Sequence, residues 1–104
     1  MTEHHNTETL GRTHLFYGNV AMVVPAGGGQ VRQAEIRLPL FSGPPAVTAT
    51  VFSPQSPGEA FVIYNIEVNQ LGQQTQIVFS ATNVETGVPS NLNYWCSYVV
   101  VGPA

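Results

Sequence analysis

The chain has 104 residues, of which 43% are hydrophobic and only 9% are charged, and its formal net charge is −3. Lysine is absent, so the surface lacks the cationic footprint of a nucleic-acid binder. The length predicts a single domain. Soluble domains average about 25% charged residues, and a surface this poor in charge favours a protein that covers part of itself by assembly. A monomer with a neutral surface rich in Asn, Gln and Thr is the alternative.

Residues 1–13 have no apolar periodicity and are predicted to form a flexible or partner-docking arm. His4, His5 and His14 suggest a metal site, but no Cys or acidic cluster completes a set of about four ligands. The sequence therefore predicts no metal and no cofactor. The start of the chain is polar and no apolar run approaches a membrane span, so we expect neither a signal peptide nor membrane insertion.

Residues 14–104 form the predicted domain, in which six segments have the composition of strands. These segments are 14–24, 31–41, 47–53, 60–71, 73–83 and 91–101. Turn residues such as Gly27 to Gly29 and Pro44-Pro45 separate them, and no stretch has a sustained helical period. This pattern predicts an all-β fold, a six-stranded antiparallel β-sandwich or a small barrel.

Strict alternation assigns one apolar face to each middle segment, because successive side chains of a strand point to opposite sides. The four predicted sets are Ala34, Ile36, Leu38 and Leu40; Val47, Ala49 and Val51; Val62, Tyr64, Ile66 and Val68; and Thr75, Ile77, Phe79 and Ala81. The third set is predicted to point inward. Glu35 and Arg37 share the opposite face of their strand, where they could pair across subunits or with solvent.

The last segment is apolar on both sides. One side carries Tyr94, Cys96, Tyr98 and Val100, and the other carries Asn93, Trp95, Ser97, Val99 and Val101. A strand of this kind is expected to be covered by its own core on one side and by another subunit on the other. The predicted oligomer-interface residues are Trp95, Tyr98, Val99 and Val101.

The aromatic residues of this segment also fit a carbohydrate site. Tyr94 or Trp95 would stack on a sugar ring, and Asn91 or Asn93 would bind its hydroxyl groups. The four residues are therefore the candidate ligand-binding set.

No catalytic constellation is visible in the sequence. All six acidic residues are glutamates, scattered over strand faces and loops, and no aspartate is present. The single cysteine, Cys96, lies in an apolar run without a neighbouring base, which is typical of a small buried hydrophobic residue. The sequence therefore predicts a protein that is not an enzyme and has no catalytic residue.

A series of short motifs carries a resemblance to a known family. The motifs are Leu40-Phe41, Pro44-Pro45-Ala46-Val47, Phe61 to Ile66, Ile77-Val78-Phe79, and Tyr94-Trp95 leading to Gly102. In this order, over residues 31–102, they resemble the H-type lectin-like domain. They are also similar to small terminal domains of bacteriophage tail fibres and related virion appendages.

The resemblance implies a six-stranded antiparallel sandwich, a homotrimer around a three-fold axis, and binding of surface sugars. It predicts a non-enzymatic component of the virion exterior, in a phage tail fibre or tail tip, with adhesion to a host-surface glycan. Residues 1–13 would dock the trimer onto other virion proteins. The alternatives are a purely structural capsid decoration protein and a free-standing soluble lectin.

The lectin family places His, Arg or Asp near the sugar, late in the domain, whereas this chain has no such residue from Gln70 onward. No sugar-binding residue is therefore transferred from the family.

Overall fold

The computed structural model describes residues 3–10, 12–24, 31–52, 61–83 and 94–104, with the backbone alone described at 3–10 and 83. These residues form seven strands and no helix. The strands are β1 (Glu3–Leu10), β2 (Thr13–Ala21), β3 (Val31–Pro39), β4 (Ala46–Phe52), β5 (Phe61–Leu71), β6 (Gln74–Asn83) and β7 (Trp95–Pro103). The all-β prediction is confirmed.

The strands form two antiparallel sheets. The four-stranded sheet has the order β1-β2-β7-β4, and the three-stranded sheet has the order β3-β6-β5. The predicted count of six strands is corrected to seven, because residues 3–10 of the predicted arm pair with β2 from Glu3↔Val20 to Leu10↔Thr13. A polar edge strand is joined by backbone hydrogen bonds, so hydrophobic periodicity does not detect it.

The two sheets share one hydrophobic core. The Phe79 ring of β6 stacks on the Tyr98 ring of β7, with centroids 5.8 Å apart. Ile36 of β3 and Val100 of β7 are fully buried. The alternation predicted for β3, β4, β6 and β7 is confirmed, except that Leu40 lies beyond the end of β3 and is 42% exposed.

The inward face of β5 differs from the prediction. Of the four residues predicted to point inward, only Ile66 packs against the core. The other three are substantially exposed: Val62 45%, Tyr64 56% and Val68 36%. The predicted inward phase is therefore wrong for Val62 and Tyr64, whereas Val68 pairs with the inward-facing Ile77 as predicted but is exposed.

A β-bulge explains the difference. The register of β5 on β6 shifts between Ile63 and Asn65, which leaves Tyr64 as an extra residue. One extra residue reverses the phase of a strand whose side chains alternate with period two. Phe61 and Ile63 consequently face the core before the bulge, and Ile66 faces it afterwards.

The Gly-Pro-Pro corner after β3 packs on the end of β7. The Ser42 N–H donates to the Pro103 carbonyl at 3.1 Å, and the Phe41 ring lies directly against Gly102. A Cβ atom at position 102 would be 2.7 Å from Cε1 of Phe41, closer than non-bonded carbons approach. Glycine at this position therefore lets the corner close over the core.

Candidate functional site

The outer face of the four-stranded sheet is the first candidate. Cross-strand partners on β2, β7 and β4 place its outward residues in four rows: Ala21, Trp95 and Phe52; Asn19, Ser97 and Thr50; Tyr17, Val99 and Thr48; and Leu15, Val101 and Ala46. We call this surface the Trp95 face. None of these twelve residues on β2, β7 and β4 is charged, although the register of β1 pairs Glu8 with Leu15 at the edge of the same sheet.

Several apolar side chains of the Trp95 face are open to solvent. Phe52 is 40% exposed, Val99 41% and Val101 38%, and Trp95 is half-buried beside Phe52. A shallow depression of about 260 Å³ lies on the same face, lined by Thr48, Thr50, Ser97 and Val99 among others. Exposed apolar side chains grouped on one face mark interaction sites.

The predicted interface residues are divided between this face and the core. Trp95, Val99 and Val101 lie on the Trp95 face. Tyr98 is only 1% exposed and stacks on Phe79, so its assignment to an oligomer interface is corrected to the protomer core. Alternation already groups Tyr98 with the buried Cys96, and only its aromatic character suggested an interface.

The predicted ligand residues also separate. Tyr94 is 3% exposed and meets Phe61 edge-to-face with centroids 4.5 Å apart, so its ring offers no open surface for a sugar. Trp95 is the one aromatic member of the set on an outer face. Asn91 and Asn93 lie outside the described residues.

A buried cation at the same end of the core was not predicted from the sequence. Arg32 is 3% exposed, and its guanidinium carbon lies 5.1 Å from the Phe61 ring centroid and 6.0 Å from that of Tyr94. This is cation–π geometry. The Tyr94 hydroxyl is buried and has no hydrogen-bond partner among the residues that the structure describes. Strand alternation could have predicted that Arg32 faces the core, because it lies on the same side of β3 as Ala34 and Ile36.

The outer face of the three-stranded sheet has different chemistry. Arg37 Nε donates to Glu35 Oε2 at 2.6 Å, and Gln76 Nε2 donates to Glu35 Oε1 at 3.0 Å. Asn69 Nδ2 donates to Gln76 Oε1 at 3.1 Å and to Glu67 Oε2 at 3.2 Å. These five side chains connect all three strands. We call this surface the Glu35 face.

Two described groups have shifted pKa values. The hydrogen bond from Arg37 holds the pKa of Glu35 below its ordinary value, although partial desolvation opposes the shift. Glu35 is thus an ionised hydrogen-bond acceptor at neutral pH. Burial raises the pKa of the Cys96 thiol to about 12, so the nucleophilic thiolate does not form near neutral pH.

Comparisons with family models, curated proteins and solved structures give no match to this chain. Within the described ranges, no three His, Cys, Asp or Glu side chains come together as a metal site. The same part of the chain contains no helix long and apolar enough to cross a membrane. The geometry of the two outer faces is therefore what supports a function.

Proposed function

We propose that this chain is a non-enzymatic assembly module, a β-sandwich subunit of a homotrimer whose copies pack through the Trp95 face. The observation that carries the proposal is the line of Trp95, Val99 and Val101 along β7, an interior strand of an uncharged face. Burying the outer side of β2, β7 and β4 against another copy removes apolar surface from water without desolvating a charge on these three strands.

The trimer belongs on the exterior of a virion, as in the tail-fibre and tail-tip domains that the chain resembles. In that setting residues 1–13 would join other virion proteins. β1 is an edge strand of the four-stranded sheet, and an edge presents unpaired N–H and C=O groups to which another strand can add. This edge is the surface that we propose for docking.

Adhesion to a surface glycan is the second candidate function. It is favoured by the pairing of Trp95 with Phe52, next to a row of hydroxyl and amide groups on Asn19, Ser97 and Thr50. An aromatic surface for the sugar ring beside polar groups for its hydroxyls is typical of carbohydrate sites. A purely structural capsid decoration protein and a free-standing soluble lectin are the alternatives.

The decisive experiment compares one substitution on the two outer faces. Val99 and Val78 each lie on an interior strand of their sheet, and the register partners of Val78 are Glu35 and Glu67. We expect a concentration-independent mass of three chains by light scattering for the wild type and for Val78→Lys. Val99→Lys should be a monomer, because it would bury an unpaired charge in the subunit contact.

A wild-type monomer would refute the assembly, and equal masses for the two lysine variants would remove the Trp95 face from it. Glycan binding has its own reporter, since Trp95 is the only tryptophan and its fluorescence should change on binding. A trimer that binds nothing on a glycan array would favour the purely structural role. A monomer that binds glycans would favour the soluble lectin.

A further inference from the structure

The four-stranded sheet extends beyond the three-stranded sheet. β2 contacts β3, β4 contacts β5, and the Tyr98 ring of β7 stacks on the Phe79 ring of β6. Each strand of the smaller sheet is thus covered by one strand of the larger. β1 has no counterpart, and its extensive contacts are with β2 alone.

The composition of β1 fits this overhanging position. Its sequence, EHHNTETL, has Leu10 as its only apolar residue. The strand therefore has little apolar surface to bury, and the backbone ladder of eight register pairs with β2 is its main attachment. Two-stranded ribbons are marginally stable in water, so β1 is the strand that can leave the sheet at the lowest cost.

The start of β2 is fixed independently of β1. The Ala104 N–H donates to the Arg12 carbonyl at 2.7 Å, which anchors the start of β2 to the last described residue. The ladder between β1 and β2 ends at the pair Leu10↔Thr13, so β1 can pair with another copy once the chain opens between these two residues, while β2 stays in place.

We propose that β1 is exchanged between copies of this chain, so that β1 of one subunit pairs with β2 of the next. This inference rests on the proposed trimer and names what its subunits share. The ladder has the same hydrogen bonds whichever copy provides β1, and within an assembly the neighbouring β2 is present at about millimolar effective concentration. The exchange links the subunits through backbone hydrogen bonds and requires no side-chain contacts beyond those of the proposed trimer.

Paired cysteines distinguish an exchanged strand from a closed hairpin. We would make His4→Cys with Asn19→Cys, and separately Thr9→Cys with His14→Cys, since both pairs are register partners. The pairs are five positions apart, so one is hydrogen-bonded and the other is not, and both cross-strand Cα separations permit a disulfide. The native Cys96 is fully buried with a strongly raised pKa and stays unreactive.

The assembled protein would be oxidised gently, denatured, and analysed on a non-reducing gel after its native mass is measured. Covalently linked chains are expected, at least half of the total for one pair, whereas the single variant Asn19→Cys should give almost none. A trimer whose disulfides are all within one chain would overturn the exchange and leave the proposed assembly intact. A monomer with a disulfide within the chain would overturn both.

The unmodified chain gives the same answer if the cysteine variants fail to fold. A trimer reconstituted from ¹³C-labelled and ¹⁵N-labelled chains should show nuclear Overhauser contacts between the backbones of His5 in one chain and Gly18 in another, which are register partners. If these contacts occur only within one chain, β1 is not exchanged.

Discussion

Val99 and Val78 each lie on an interior strand of their sheet and point away from the core, yet their surroundings are opposite. Val99 has the uncharged Tyr17 as its partner on β2, whereas Val78 lies between Glu35 and Glu67. On the Glu35 face the polar side chains bind one another. On the Trp95 face the exposed side chains are apolar or neutral and polar, and none of those on β2, β7 and β4 is charged.

The difference shows how one fold can present one face suited to solvent and another suited to a protein contact. The hydrogen-bonded network of the Glu35 face is compatible with permanent contact with solvent, because its charges remain hydrated. Apolar side chains of the Trp95 face contribute favourably to the free energy only when a partner removes them from water. The uncharged surface on β2, β7 and β4 is therefore where a partner is expected.

The largest effect should come from breaking the core that supports both faces. Phe79 is fully buried, and Phe79→Ala should lower the free energy of unfolding by about 3–5 kcal/mol through lost transfer energy and a cavity. Urea denaturation measures the change. Phe52→Ala, which truncates a 40% exposed ring on the Trp95 face, is the control and should cost the subunit less than about 1 kcal/mol. Equal losses would contradict the assignment of the core.

Removing the half-buried indole should affect assembly more than folding. Trp95→Ala is expected to convert the proposed trimer to monomer, while the isolated subunit loses about 1–2 kcal/mol of stability. Light scattering and urea denaturation separate the two effects. Tyr64→Ala removes an aromatic ring that is 56% exposed at the β5 bulge, and it should remain trimeric. A trimeric Trp95→Ala variant would count against the Trp95 face.

The buried hydroxyl of Tyr94 differs from the hydrogen-bonded polar groups of the Glu35 face. The Tyr94 hydroxyl is buried and makes no hydrogen bond within the described part of the chain, so Tyr94→Phe should raise the free energy of unfolding by about 1 kcal/mol. Thermal unfolding provides the measurement, and Tyr64→Phe, with its hydroxyl in solvent, should change stability very little. A loss of stability in Tyr94→Phe would show that the hydroxyl has a role in the folded chain.

The smallest expected effect is the pH dependence of the Glu35 face. Because Arg37 lowers the pKa of Glu35 in the folded state, the ionised carboxylate stabilises the fold above the unfolded value of 4.5. That contribution is lost as pH falls through the lower folded pKa. The pair is solvent-exposed, so it should amount to a few tenths of a kcal/mol. Glu35→Gln should reduce the acid-induced loss of stability seen in urea titrations at pH 7 and at about pH 3, and an unchanged loss would exclude the pair.

The sequence was sufficient for the all-β class and for the faces of four strands. β3, β4, β6 and β7 alternate without interruption, so the positions of Ile36, Val51, Ile77 and Val100 followed from a period of two. Trp95 and Val99 were placed correctly on the side opposite the core for the same reason. The alternation of apolar residues is enough to predict which side chains face the core where a strand has no bulge.

The rest depends on information that no single segment contains. β1 is held by its neighbour and has no apolar face of its own, so periodicity missed it. Outward positions for Glu35 and Arg37 were predicted, but their connection to Gln76 and Asn69 requires the strand order β3-β6-β5. Tyr98 shows that residue type can mislead when it is preferred to strand phase.

The bulge at Tyr64 determines which side chains of β5 lie on the Glu35 face. If Tyr64 were deleted, Ile63↔Ala81 and Asn65↔Ser80 would become consecutive pairs of an uninterrupted ladder, so Ile66 would stay in the core and Glu67 and Asn69 on the Glu35 face. Deletion of Val68, from the regular part of the strand, would instead turn Asn69 toward the core and away from Gln76. The same loss of one residue is therefore expected to preserve the Glu35 network at the bulge and to break it four residues later.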